Sequence, residues 1–249
     1  TGPGLASCRC RPLSSNVRPH NNHMDTLPAT GLVLALIGPP AVLVAVRFCS
    51  GEPFRLWSAL VMWGIACLAT VVAMVSYDDW PAKLGLHWSG WHTAAAALTA
   101  AILLLASWPA VQFLQRALGG SDSTDSESFK KIAAKPIWHR LFLVTTAGVV
   151  EEVLYRGYGI GVGQQVFGST SLAVVISLGV FVAAHFRWGL SHLLSVTWAG
   201  AVLSALFVIT NSLLACIIVH ALVDAVGFLL VPAVRARKSK HATVMPGEV

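Results

Sequence analysis

The stretch GVVEEVLYRGYGIG, Gly148 to Gly161, sets two adjacent glutamates and an arginine inside a run of Val, Leu, Ile and Gly. What those charges mean depends on the medium around them. The chain has 249 residues, of which 55% are hydrophobic and 11% charged. A soluble domain carries about 25% charged residues, and a soluble protein of this size cannot hide so much apolar side chain. The composition points to a polytopic helical membrane protein.

Working outward, apolar runs occupy about 29–47, 56–76, 92–115, 141–162, 170–186, 193–210 and 212–233. A membrane span takes about 20 residues, with roughly 17 the lower limit. Lipid-facing strands would instead alternate over about ten residues, so a barrel is excluded by run length. The expected fold class is all-α, a polytopic membrane helical bundle of about seven transmembrane helices. The organisation read from the runs is a disordered or non-native tail over 1–28 and a three-helix membrane region over 29–118. A polar linker over 119–136, a second membrane region over 137–233 and a basic cytoplasmic tail over 234–249 follow. Within the linker, Phe129 to Ile137 has the pattern of a short amphipathic segment on the membrane surface. Residues 1–23 lack an apolar core and are no signal peptide. Met24 directly precedes the first apolar run and reads as the natural start, with a disordered tail the other reading.

The net charge of +6 is carried by loops and the C-terminus. Arg47 and Arg55 follow the first run. Arg116, Lys130, Lys131, Lys135 and Arg140 follow the third, Arg187 the fifth, and Arg235, Arg237, Lys238 and Lys240 the last. With seven spans these segments share one side, which the positive-inside rule makes cytoplasmic. This is a pattern for anionic lipid, not nucleic acid, and membrane lipids are the expected partners. The opposite side receives YDDWPAKLG, residues 77–85. Trp80, Trp88, Trp91, Trp108 and Trp138 lie near run ends, as interfacial anchors do. Cys8, Cys10, Cys49, Cys67 and Cys216 form no CxxC pair; Cys67 and Cys216 read as small core residues.

Of 11 acidic residues, only Glu151, Glu152 and Asp224 fall inside apolar runs. A charge at the bilayer centre costs roughly 2.5–3.5 kcal/mol even on gentle scales, so such residues face the bundle interior or a wet cavity. Glu152 and Arg156 are i, i+4 with the glutamate first, the favourable order for a helical ion pair, and read alone they are a structural pair. Glu151 is rotated about 100° from Glu152. One glutamate is then neutralised while the other points elsewhere and is available as a base. Phe181 and His185 lie one turn apart in FVAAH, and His220 and Asp224 one turn apart in HALVD. A carboxylate, imidazoles and a hydrogen-bonding group are the parts for activating water and stabilising an oxyanion.

EEVLYR, FVAAH and HALVD, in that order on successive helices, resemble the EExxxR, FxxxH and HxxxN or HxxxD motifs of the CAAX protease and bacteriocin-processing family. That family contains the type II CAAX prenyl endopeptidases. RGYGIG after the first motif also resembles the family's usual continuation. The resemblance covers about 137–233 and does not extend to the first three helices or the tails. It implies an intramembrane glutamate-type endopeptidase for a protein or peptide tail, lipid-modified or membrane-embedded. It implies further that Glu151 activates water with His185, that His220 and Asp224 stabilise the oxyanion, and that Glu152 and Arg156, with Phe181, hold the geometry. The site cavity is expected to open toward the cytoplasm from an integral membrane protein, in the cell or inner membrane if the chain is prokaryotic.

Two features depart from the simple pattern. Asp224 stands where some members carry Asn; Asp donates to an oxyanion only when protonated, and its other role is to orient His220. Glu151 also lies about ten residues into its run while His185 is near the end of its own. A fourth helix beginning after residue 141, with the preceding segment along the interface, would reconcile the depths. No cofactor is expected. Glu151, His185 and His220 have the ligand types of a zinc site, but no HExxH is present, and a metal-free site is favoured. The competing functions are a non-catalytic immunity or scaffold protein of the same fold and a small proton-coupled transporter.

Overall fold

The computed structural model describes residues 22–49, 56–119, 127–235 and 237. The tail over 1–21, Arg55, the middle of the linker over 120–126 and the basic tail beyond 237 lie outside the described residues. Among the described residues, regular structure is helical throughout. In chain order the helices are α1 (Asn22–Cys49), α2 (Leu56–Ser76), α3 (Trp80–Lys83), α4 (Gly90–Ala117) and α5 (Glu127–Ala133). After these come α6 (Ile137–Thr146), α7 (Gly163–Val166), α8 (Thr170–Ala184), α9 (Leu190–Thr210) and α10 (Leu213–Ala225). Between α6 and α7 the backbone takes wider π turns over Ala147–Glu151 and Val153–Val162. Residues 137–166 thus form one continuous rod. A further π turn, Val226–Leu230, extends α10.

Each of the apolar runs has a helical counterpart. Five are long and apolar enough to cross a membrane: Thr26–Val46, Leu56–Ser76, Gly90–Ala117, His192–Thr210 and Leu213–Arg235. The remaining two are the rod and α8, a shorter apolar helix. Three expectations are corrected. First, α1 begins at Asn22, so residues 22–28 are helical and do not belong to the tail. Hydropathy marks where a helix becomes apolar, not where its backbone begins. Secondly, the rod begins at Ile137, before residue 141, because Pro136 is extended (φ −55°, ψ 154°) and starts a new helix directly after it. The depth of Glu151 is matched instead by α8 being short. Thirdly, Cys67 is exposed on the outer face, whereas Cys216 is buried as expected.

The bundle turns its large apolar side chains outward and its small ones inward. On α2, Leu68, Val71 and Val75 are exposed while Ala66, Ala69 and Ala73 are buried. On α4, Ile102 is exposed while Ala97, Ala100 and Ala101 are buried. In lipid, hydrophobicity does not press helices together; close approach of backbones across small residues does. The rod occupies the centre, with Val150, Leu154, Tyr155, Tyr158 and Ile160 essentially inaccessible. It packs against α1, α8 and α10. Two glycines set its spacing: a Cβ on Gly148 would stand 2.9 Å from Ala221 Cβ on α10, and one on Gly159 would stand 2.5 Å from Ser177 Oγ on α8. α5 is amphipathic, with Phe129 and Ile132 buried and Lys130 and Lys131 exposed.

Candidate active site

The two glutamates part as their helical offset requires. Glu152 is fully buried, and its Oε1 accepts from Arg156 Nη1 at 2.8 Å and from His220 Nδ1 at 2.6 Å. Arg156 is also buried and donates through Nη2 to the Gly200 carbonyl on α9 at 3.2 Å. Glu151, next along the chain, keeps a side chain that is 20% exposed and lines a cavity. A π turn, a deviation often found at functional sites, ends at Glu151 and another begins at Val153.

His185 caps the C-terminus of α8, where the chain leaves the helix for a tight turn over Phe186–Trp188. Its Nδ1 lies 2.8 Å from the Phe181 carbonyl, which can only accept, so Nδ1–H donates. That fixes the tautomer of a neutral ring with Nε2 bare. Nε2 lies 3.9 Å from Glu151 Oε2, too far for a direct hydrogen bond and the right span for one water. His220 is committed likewise: Nδ1 faces Glu152, and Nε2 lies 3.7 Å from Asp224 Oδ2.

Phe181 holds these parts in register. The Arg156 guanidinium sits over its ring at 4.6 Å. Its ring centroid lies 4.7 Å from that of His185, 5.1 Å from Tyr155 in an edge contact, and 6.5 Å from His220. A desolvated cation over an aromatic face contributes about 2 kcal/mol, so the ring also supports the buried ion pair.

A cavity of about 280 Å³ opens between these groups. Glu151, His185, His220, Asp224 and Phe181 all line it, so the three motifs meet at one place. Glu152 and Arg156 lie behind its wall. Among the lining residues that sequence reasoning missed are Tyr155, Trp188 and His192. His192 stacks on Trp188 with ring centroids 4.9 Å apart. It escaped notice because it precedes the apolar run at 193 and so reads as loop. Its signal was the spacing His185–Trp188–His192 across a short turn, which folds both imidazoles to one side. Trp108, read as an interfacial anchor, also lines the cavity.

The zinc alternative finds no support in the side-chain arrangement. Among the described residues no three His, Cys, Asp or Glu side chains are grouped to hold a metal ion.

Comparison with known proteins agrees with the motif reading. Residues 133–226 match the family model described as Type II CAAX prenyl endopeptidase Rce1-like. The match spans every motif residue from Glu151 to Asp224 and leaves out the first three long helices. No curated protein and no solved structure gives a significant match.

Proposed function

We propose, from the place of residues 133–226 in the type II CAAX prenyl endopeptidase family, that this integral membrane protein is an intramembrane endopeptidase. Its substrate is a protein or peptide tail, lipid-modified or embedded in the bilayer. The observation that carries the reading is the 3.9 Å gap between Glu151 Oε2 and His185 Nε2 on the cavity wall. Both atoms are acceptors, since Nδ1–H of His185 is spent on the Phe181 carbonyl. A water between them donates one hydrogen to each and turns a lone pair toward the cavity.

Attack by that water on a peptide carbonyl forms the C–O bond while one water proton passes to Glu151 or His185. The carbonyl oxygen becomes an oxyanion. A proton carried on His220 Nε2 or on Asp224 Oδ2, which lie 3.7 Å apart, donates to the oxyanion and stabilises it. Collapse breaks the C–N bond, and the proton taken from water goes to the leaving amine. Glu152 and Arg156 do not touch substrate; they position His220. No metal takes part in this scheme.

The cavity mouth lies on the cytoplasmic side in this reading. Support comes from α5, whose Phe129 and Ile132 line the cavity while Lys130 and Lys131 are exposed, the charge expected on a cytoplasmic face. The test is purified protein in liposomes with a farnesylated Cys-aliphatic-aliphatic-Met peptide, read by mass spectrometry. Release of the terminal tripeptide supports the reading. Intact peptide together with proton-coupled solute flux would favour a transporter instead.

A further inference from the structure

The cavity holds one imidazole more than the mechanism uses. Glu151 faces His185 at 3.9 Å, and Asp224 faces His220 at 3.7 Å. Behind the wall, Glu152 is matched by Arg156 and His220. Each carboxylate of the site therefore has a cationic or imidazole partner. His192, the third cavity histidine, has none: among the described residues no carboxylate lies within ion-pair distance of it. Its Nδ1 is buried and makes no hydrogen bond. A buried polar atom without a partner is unfavourable. Stacking on Trp188 at an interplanar angle of 23° fixes the ring nonetheless, and Trp188 is itself packed 6.1 Å from Phe228 of the α10 extension. The imidazole is held in place with neither nitrogen committed to a hydrogen bond among the described residues, and Nε2, unlike the buried Nδ1, is the one open to a ligand.

Resting on the endopeptidase reading, we infer that His192 binds the C-terminal carboxylate of the substrate tail. The chemistry matches on two counts. Tyr155, three histidines and two carboxylates, Glu151 and Asp224, line the cavity; both carboxylates already face a histidine, so His192 is left to meet a carboxylate that enters with the substrate. A peptide cleaved near its C-terminus brings one, and a carboxylate gains more from a histidine donor than a neutral amide does, because charge-assisted hydrogen bonds are roughly twice as strong. His192 also sits on α9, across the tight turn from His185. The anchor and the water-activating pair thus share one wall, and the anchored end selects which bond reaches Glu151. This gives His192 a role in specificity for chain ends rather than in bond cleavage.

The experiment uses the full-length protein with two farnesylated Cys-aliphatic-aliphatic-Met peptides, one ending in carboxylate and the other in carboxamide. Binding is measured in Glu151→Gln protein, which does not consume the peptide, and cleavage in protein with Glu151 intact. The acid is expected to bind at least tenfold more tightly than the amide. In His192→Phe, which keeps a ring against Trp188, that preference falls to within twofold while amide binding is unchanged. His192→Gln, which keeps a donor, retains part of it. Equal binding of acid and amide, or a preference that survives His192→Phe, overturns the assignment while cleavage still upholds the peptidase. A protein that neither binds nor cleaves either peptide overturns both.

Discussion

Glu152 Oε1 lies 2.6 Å from His220 Nδ1, so a glutamate on the central rod and a histidine on α10 are joined through one fully buried oxygen. The same oxygen accepts from Arg156 at 2.8 Å. Removing one member of a buried charged pair leaves the other unpaired and costs about 3–5 kcal/mol. Glu152→Ala is therefore expected to lower thermal stability in detergent strongly. Glu151→Ala, at a partly exposed position, leaves it nearly unchanged. Melting curves of the two variants side by side check the difference.

Asp224 separates an oxyanion donor from a residue that only orients His220. Asn presents an N–H donor of similar shape. Asp224→Asn is expected to keep cleavage within about tenfold of the parent, and Asp224→Ala to lose about 10²–10³ in kcat, as loss of one oxyanion donor does elsewhere. Initial rates at saturating peptide measure both.

Phe181 touches Arg156, Tyr155, His185 and His220 at once. Truncation of a buried Phe to Ala costs about 3–5 kcal/mol, and here the guanidinium also loses its aromatic face. Phe181→Ala should unfold at lower denaturant concentration. Phe181→Leu, which keeps most of the volume, should recover stability but not full activity, since it supplies no ring against His185. Denaturation and turnover recorded on the same preparations separate the two effects.

Metal dependence has a direct check. Activity is expected to be unchanged after prolonged treatment with a strong chelator and unchanged on adding zinc. Loss with chelator and recovery with zinc would replace the glutamate–histidine scheme with a metal-bound one at Glu151, His185 and His220.

The helical membrane class was legible because apolar runs of span length leave few alternatives, and the site because i, i+4 spacing survives burial. Glu151 and Glu152 diverge as a rotation of about 100° predicts, one to the cavity and the other to Arg156 and His220. Less legible was whatever depends on helix ends. A hydropathy window placed the rod's start several residues after Pro136, and it read α8 as a full span, so His185 at its end looked too shallow for Glu151. The π turns at Ala147–Glu151 and Val153–Val162 have no hydropathy signature, though each contains a glycine packed closely on a neighbouring helix, Gly148 on α10 and Gly159 on α8. The bond between Glu152 and His220 was hidden for another reason. It joins residues 68 positions apart, and each already had a nearer partner, Arg156 and Asp224, at helical spacing.

The central claim is that Glu151, with His185, activates the attacking water. Its most direct test is the turnover of Glu151→Gln against the parent protein, at equal amounts of folded protein, on a farnesylated peptide in liposomes. Gln keeps the shape and removes the proton acceptor. Because general-base catalysis contributes about 10²–10⁴-fold, turnover is expected to fall by at least about a hundredfold with the melting temperature unchanged. Turnover within a few-fold of the parent would contradict the account.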